Sequence, residues 1–169
     1  MDHINGYDFV SSGNDRQIVL WKTEKQTQVI FEGHDFAIDR VRVVNDEKFI
    51  SASQDGSINL WSQKRKKPLF KLSKAHENGW ICALDNIKQS NIFATGAIDR
   101  MIKIWAIGEN SKSIRQVKEI PVEGIITDLK INNRELVAAE CDEHRLGRWV
   151  TCKCRNKIKV FKFKEDVSL

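Results

Sequence analysis

The 169 residues predict an all-β chain of repeated four-stranded sheets, and three observations carry that expectation. Tryptophans fall at Trp21, Trp61, Trp105 and Trp149, spaced 40, 44 and 44 residues apart. An acid stands six residues before each, at Asp15, Asp55, Asp99 and Glu143. A hydroxyl stands four residues before each of the first three acids, at Ser11, Ser51 and Thr95, with Ala139 in the fourth place. A period of ~40–45 residues with a late tryptophan is the spacing of a β-propeller blade, one supersecondary unit of four short strands.

The elements follow in order. The first unit, about 7–31, reads as a partial blade lacking its first strand, with QVIFE as its last. The second, about 38–72, holds VRVV and FISAS, the turn Gln54-Asp55-Gly56-Ser57, INLW ending on Trp61, and PLFKL. The third, about 80–119, repeats the pattern, with IKIW ending on Trp105. The fourth, about 124–163, carries EHRLGRW, with Trp149 expected on its third strand. The expected architecture is therefore a propeller fragment of about three complete blades plus a partial first one, forming a single partial domain over 1–169. An open propeller exposes edge strands and an apolar wall, so the chain is expected to be part of a longer protein or half of a split one.

The period also assigns a hydrogen-bond network. A buried indole N–H needs an acceptor, which a second-strand hydroxyl supplies. Histidines at His34 and His76 open two of the units, 27 and 29 residues before their tryptophans. Each can take the hydroxyl's proton on one ring nitrogen and meet the turn acid with the other. The expected tetrads are Trp61–Ser51–His34–Asp55 and Trp105–Thr95–His76–Asp99. Serine, histidine and aspartate together suggest a hydrolase triad, but these recur with the repeat and so read as structural. A triad needs one exposed nucleophile beside an oxyanion hole. No nucleotide loop or isolated carboxylate pair points to an enzyme. The fourth unit has Pro121-Val122 where a histidine would open it, so its tetrad cannot form and Trp149 needs another acceptor.

Composition narrows the class further. Hydrophobic residues make up 41% and charged residues 30%, as in a globular domain. No apolar run approaches ~20 residues, and the N-terminus lacks a signal-peptide pattern, so a cytosolic or nuclear location is expected and no membrane. Cys82, Cys141, Cys152 and Cys154 lack the paired spacing of a zinc site and read as free thiols, with no metal and no cofactor. The net charge of +5 is concentrated: eight basic residues and no acid lie between Arg145 and Lys164. A second cluster is Lys64-Arg65-Lys66-Lys67. Such blocks suit phosphate backbones or acidic partners, and equally a solvated rim. The second also fits a nuclear import signal.

These repeats resemble the WD-repeat family, although Lys22, Ser62, Ala106 and Val150 stand where an aspartate often follows the tryptophan. Within it, DRQIVLWK, QVIFEGH, DGSINLW, KKPL, Ala75 to Ile81 and above all EHRLGRW with Arg155-Asn156 resemble, in order, the WD-repeat subunits of the U3 small nucleolar ribonucleoprotein. That resemblance implies a seven-bladed propeller with an N-terminal extension and a non-enzymatic subunit. It implies binding to U3 small nucleolar RNA beside a core RNA-binding protein, in small-subunit pre-rRNA processing in the nucleolus, with small-subunit processome proteins as partners and no small-molecule substrate. The alternative is a generic protein–protein adaptor without RNA contact.

Propeller geometry sorts the basic residues. Lys64, Arg65, Lys66 and Lys67 are expected in a third-to-fourth-strand loop, as is the segment Thr151–Asn156 with Lys153, Arg155 and Asn156, followed by Lys157, which puts both clusters on one face as an electrostatic track. Without interleaved aromatics, the track suits backbone and shape contacts. His144, Arg145 and Arg148 are expected at the opposite turn, as contacts to a partner or, for Arg148, as a brace paired with Asp142 or Glu143.

Overall fold

The structure, a computed structural model, describes residues 1–77, 79–144 and 147–163, and at Asn5, Arg148 and Trp149 the main chain alone. Among the described residues every regular element is a strand, and the strands form antiparallel sheets set side by side as blades. The first sheet runs β1 (Asp2–Asn5), β2 (Asp8–Ser12), β3 (Gln17–Lys22) and β4 (Thr27–Glu32) in sequence order. The second is β5 (Ile38–Asn45), β6 (Lys48–Ser53), β7 (Ile58–Ser62) and β8 (Arg65–Leu72). The third is β9 (Ile81–Asn86), β10 (Ile92–Ala97), β11 (Met101–Ile107) and β12 (Ile114–Pro121).

The first sheet therefore has its inner strand, which corrects the expectation of a partial blade at 7–31. Strand β1 is only DHIN, too short and polar to show a period of two. It turns through Gly6, at φ 46°, directly into β2. Asp2 then ties it to the next blade by accepting the Val43 amide at 2.8 Å.

Three apolar cores lie between the sheets. In the first two, one face of a blade meets the tryptophan-bearing face of the next: Val10, Leu20 and Phe31 against Phe49 and Trp61, then Ile50, Ala52 and Leu60 against Phe93 and Trp105; in the third, Ala94, Ile102 and Ile104 pack against Leu129 and Leu136. A strand covered on both faces has no reason to alternate, and β10, IFATGA, is buried throughout. Close approach is required here: a Cβ on Gly96 would run into the Ile126 side chain of the next blade.

The fourth sheet departs from expectation. Among the described residues it has three strands, β13 (Ile125–Ile131), β14 (Glu135–Cys141) and β17 (Lys157–Lys162). Within and just after EHRLGRW, β15 (Glu143–His144) and β16 (Gly147–Thr151) pair with each other as a separate hairpin. The incomplete blade is thus the last and not the first, and 124–163 is not a four-stranded unit. Two pairings favour β17 beside β14. The buried Glu140 carboxylate lies 2.9 Å from Lys159 Nζ, and Phe161 sits opposite Leu136, where it packs on the third core. The register also moves the hydroxyl position. Ser51 lies opposite Val41, Thr95 opposite Leu84, and Ala138, not Ala139, opposite Leu129.

Candidate nucleic-acid interface

The tryptophan networks set the blades on which any interface rests. In the third blade, Trp105 Nε1 donates to Thr95 Oγ1 at 2.8 Å, His76 Nε2 meets the same oxygen at 2.7 Å, and His76 Nδ1 meets Asp99 at 2.7 Å. The Asp99 carboxylate only accepts, so the neutral ring carries its proton on Nδ1, and its Nε2 accepts the threonine proton while the indole donates to the same oxygen. In the second blade, Trp61 Nε1 donates to Ser51 Oγ at 2.8 Å and His34 Nε2 meets Ser51 at 2.6 Å. The fourth member there is Ser57, 3.2 Å from His34 Nδ1, and not Asp55. Asp55 accepts the Ser57 amide at 2.9 Å, which holds the turn and presents the serine hydroxyl to the ring. Burial pushes the His34 imidazole down to about 4, against the opposing pull of Asp55. In the first blade, Trp21 Nε1 donates to Ser11 Oγ at 2.9 Å, but this indole is 37% exposed. The Ser51, Thr95 and His76 side chains are fully buried.

Inner-strand polar ties connect neighbouring blades. Asp85 on β9 accepts Arg42 Nε from β5 at 3.0 Å, and Lys130 Nζ and the Ile131 amide from β13, each at 3.2 Å. These residues carry no repeat signature. They become visible only once the strands are adjacent.

The two basic clusters do not share a face. Lys64 lies in the β7–β8 turn, where its Nζ is 2.5 Å from Glu47 in the β5–β6 turn. Arg65, Lys66 and Lys67 are exposed at the start of β8, on the strand and not in a loop. Because β17 pairs directly with β14, the 152–156 segment ends beside Cys141, at the other end of the sheet. The Asp142 amide donates to Asn156 Oδ1 at 2.9 Å, and the Cys152 amide to the Asp142 carbonyl at 2.8 Å. This segment therefore sits on the face of the β6–β7 and β10–β11 turns, opposite Lys64, and no single-face track links the clusters. Lys157 is half-buried and already paired: its Nζ is 2.6 Å from the exposed Glu123, and that partner lifts its pKa above the usual lysine value. Lys153 and Arg155 remain exposed.

The hairpin lies on this same face. His144, expected as a surface contact, is buried at 4% exposure. Its ring centroid is 4.2 Å from that of Trp80, and its Nε2 is 3.1 Å from Cys82 Sγ at the start of β9. Trp80 donates to Asp39 of the second blade at 2.5 Å. The histidine therefore locks the hairpin across the inner strands of its neighbours. Trp80 is the fifth tryptophan and the one outside the 40–44-residue register, a signal that it has another task. Arg145 lies outside the described residues, and only the main chain of Arg148 is described. Between the hairpin and the β10–β11 turn is a cleft of about 460 Å³. Arg100 stands on the turn side and Lys153 on the hairpin side, both exposed.

The chain matches the family "WD domain, G-beta repeat" over residues 25–62 and 66–106. It is 32% identical over 146 residues to mouse "U3 small nucleolar RNA-interacting protein 2", covering 79% of this chain and 31% of that protein. To "Ribosomal RNA-processing protein 9" of Saccharomyces cerevisiae it is 28% identical over 172 residues, covering 78% of this chain and 30% of that one. A solved structure described as "Structure of U3-55K" superposes with a TM-score of 0.88 at 30% identity, over 93% of this chain and 52% of that chain. The chain thus spans about a third of the length of these curated relatives. By its repeats, its blades and these relatives, the chain belongs to the WD40-repeat family of β-propeller proteins.

Proposed function

We propose that this chain is a non-enzymatic, RNA-binding scaffold unit of a U3 small nucleolar ribonucleoprotein. It acts in the nucleolus, in processing of the small-subunit rRNA precursor, beside the particle's core protein and small-subunit processome proteins. The observation that carries this reading is the sequence match, over most of the chain, to a protein whose name states U3 RNA interaction, beside the fold match to the structure described as "Structure of U3-55K". The chemistry is compatible with it. Lys153 and Arg155 are exposed cations on the hairpin face, and cations neutralise phosphates without needing to read bases. The buried Ser51–His34 and Thr95–His76 pairs hold the blades, and their hydroxyls are 0% exposed, which leaves no accessible nucleophile for a triad.

The test is a titration of the chain with a U3 RNA transcript across a salt series. Three or four phosphates neutralised on single-stranded RNA give a slope of log K against log salt of about −2 to −3. Charge reversal at Lys153 and Arg155 is expected to flatten it. Absence of RNA binding at low salt, with retained binding to ribonucleoprotein proteins, would favour the adaptor reading.

A further inference from the structure

We propose that the cleft between the β10–β11 turn and the β15–β16 hairpin seats one nucleotide of a bound RNA strand, its phosphate held between Arg100 and Lys153; the proposal rests on the RNA-binding reading above. The cleft exists because β16 is not paired with β14. The hairpin stands off the fourth sheet, is anchored through His144 to Trp80 and Cys82, and leaves a trough beside the third blade. Its volume of about 460 Å³ lies within the ~300–1,000 Å³ of small-ligand sites.

The lining is specific in kind. Arg100 occupies the left-handed turn position, φ 64°, that Gly56 fills in the second blade and Arg16 in the first. The turn conformation is therefore generic, but at Arg100 the turn borders a cleft that the hairpin also lines. Guanidinium is suited to bidentate phosphate contact, and Lys153 adds a point charge from the opposite wall. Thr151 lines the same cleft with an exposed hydroxyl able to meet a 2′-hydroxyl, the group that separates RNA from DNA. Ile98 and the 37%-exposed Val150 offer apolar surface beside the cations. That combination fits a sugar and base next to a phosphate better than an acidic side chain, which uses the cations alone. Asp99 also lines the cleft, but its oxygens are directed inward. Oδ2 meets His76 at 2.7 Å and Oδ1 accepts the Met101 amide at 3.1 Å, with the side chain 9% exposed. It does not serve as a partner for Arg100.

The experiment measures binding of a U3 RNA transcript to the full chain and to R100Q/K153Q across a salt series, with R115Q/K118Q, exposed on β12, as the control. Removing two phosphate contacts is expected to weaken binding tenfold or more at low salt and to reduce the log K against log salt slope by about 1.4. The control is expected to bind like the parent. All four side chains are exposed, so the circular dichroism melts should coincide. If the parent binds RNA and R100Q/K153Q binds equally well, the cleft assignment is wrong while the RNA reading stands. If the parent does not bind RNA, both fail. If polyglutamate displaces the RNA at equal charge concentration, the cleft is an acidic-peptide site and the proposal is overturned.

Discussion

Thr95→Val lowers the unfolding free energy by about 2–5 kcal/mol, while Ser11→Ala lowers it by about 1 kcal/mol or less. Both substitutions remove the acceptor of a tryptophan indole, so the contrast isolates burial. Valine matches threonine closely in shape and leaves almost no cavity. Trp105 Nε1 and His76 Nε2 then lose their shared partner at a site where the hydroxyl and the imidazole are both 0% exposed. Each orphaned buried group costs about 1–3 kcal/mol, because water cannot reach it. At Ser11 the lost bond belongs to a 37%-exposed indole, and solvent supplies a replacement. Urea unfolding followed by tryptophan fluorescence measures both, and Thr95→Ser is expected to restore most of the loss. Equal destabilisation by Thr95→Val and Ser11→Ala would show that the network adds nothing beyond local propensity.

How far the molecule was legible in advance depends on how local each interaction is. The Trp, Ser/Thr and turn-acid positions recur at fixed offsets within a blade, so the all-β propeller class could be read from them. The His34 network differs from the expected one by two residues. Asp55 and Ser57 both sit in the turn, and only its geometry decides which reaches the ring. Strand β1 was missed because DHIN carries no alternation. The last blade was misread for a non-local reason. The choice between β16 and β17 as partner of β14 is made by Glu140 meeting Lys159 and by Phe161 meeting the core, contacts no spacing rule expresses. That one pairing carries the 152–156 segment to the other face. The single-face basic track fails with it, and Arg100, unremarkable in the sequence, comes to line the same cleft as Lys153. His144 was expected at the surface because it sits among charged residues; its burial follows from Trp80, 64 residues earlier in the chain.

The second blade should make stability depend on acidity. The His34 imidazole has an ordinary value of 6.5 and is pushed to about 4 in the fold by burial. Between those values the unfolded chain binds a proton that the folded chain does not. The contribution is therefore fully present above pH 6.5, declines as pH falls toward 4, and is gone below it. The integrated loss is about 3 kcal/mol. Geometry supplies the reason the neutral ring is required. Trp61 donates to Ser51, and the arrangement that satisfies every proton of this buried group has the serine hydroxyl donating to His34 Nε2. A proton on Nε2 would leave the serine proton without an acceptor at a fully buried site. His34→Gln removes the titrating group and is expected to be less stable at pH 7 but nearly flat across this window. Urea midpoints for both chains at pH 7, 6, 5 and 4 decide the matter. Parallel slopes would place the acid sensitivity elsewhere in the molecule and detach it from the blade network.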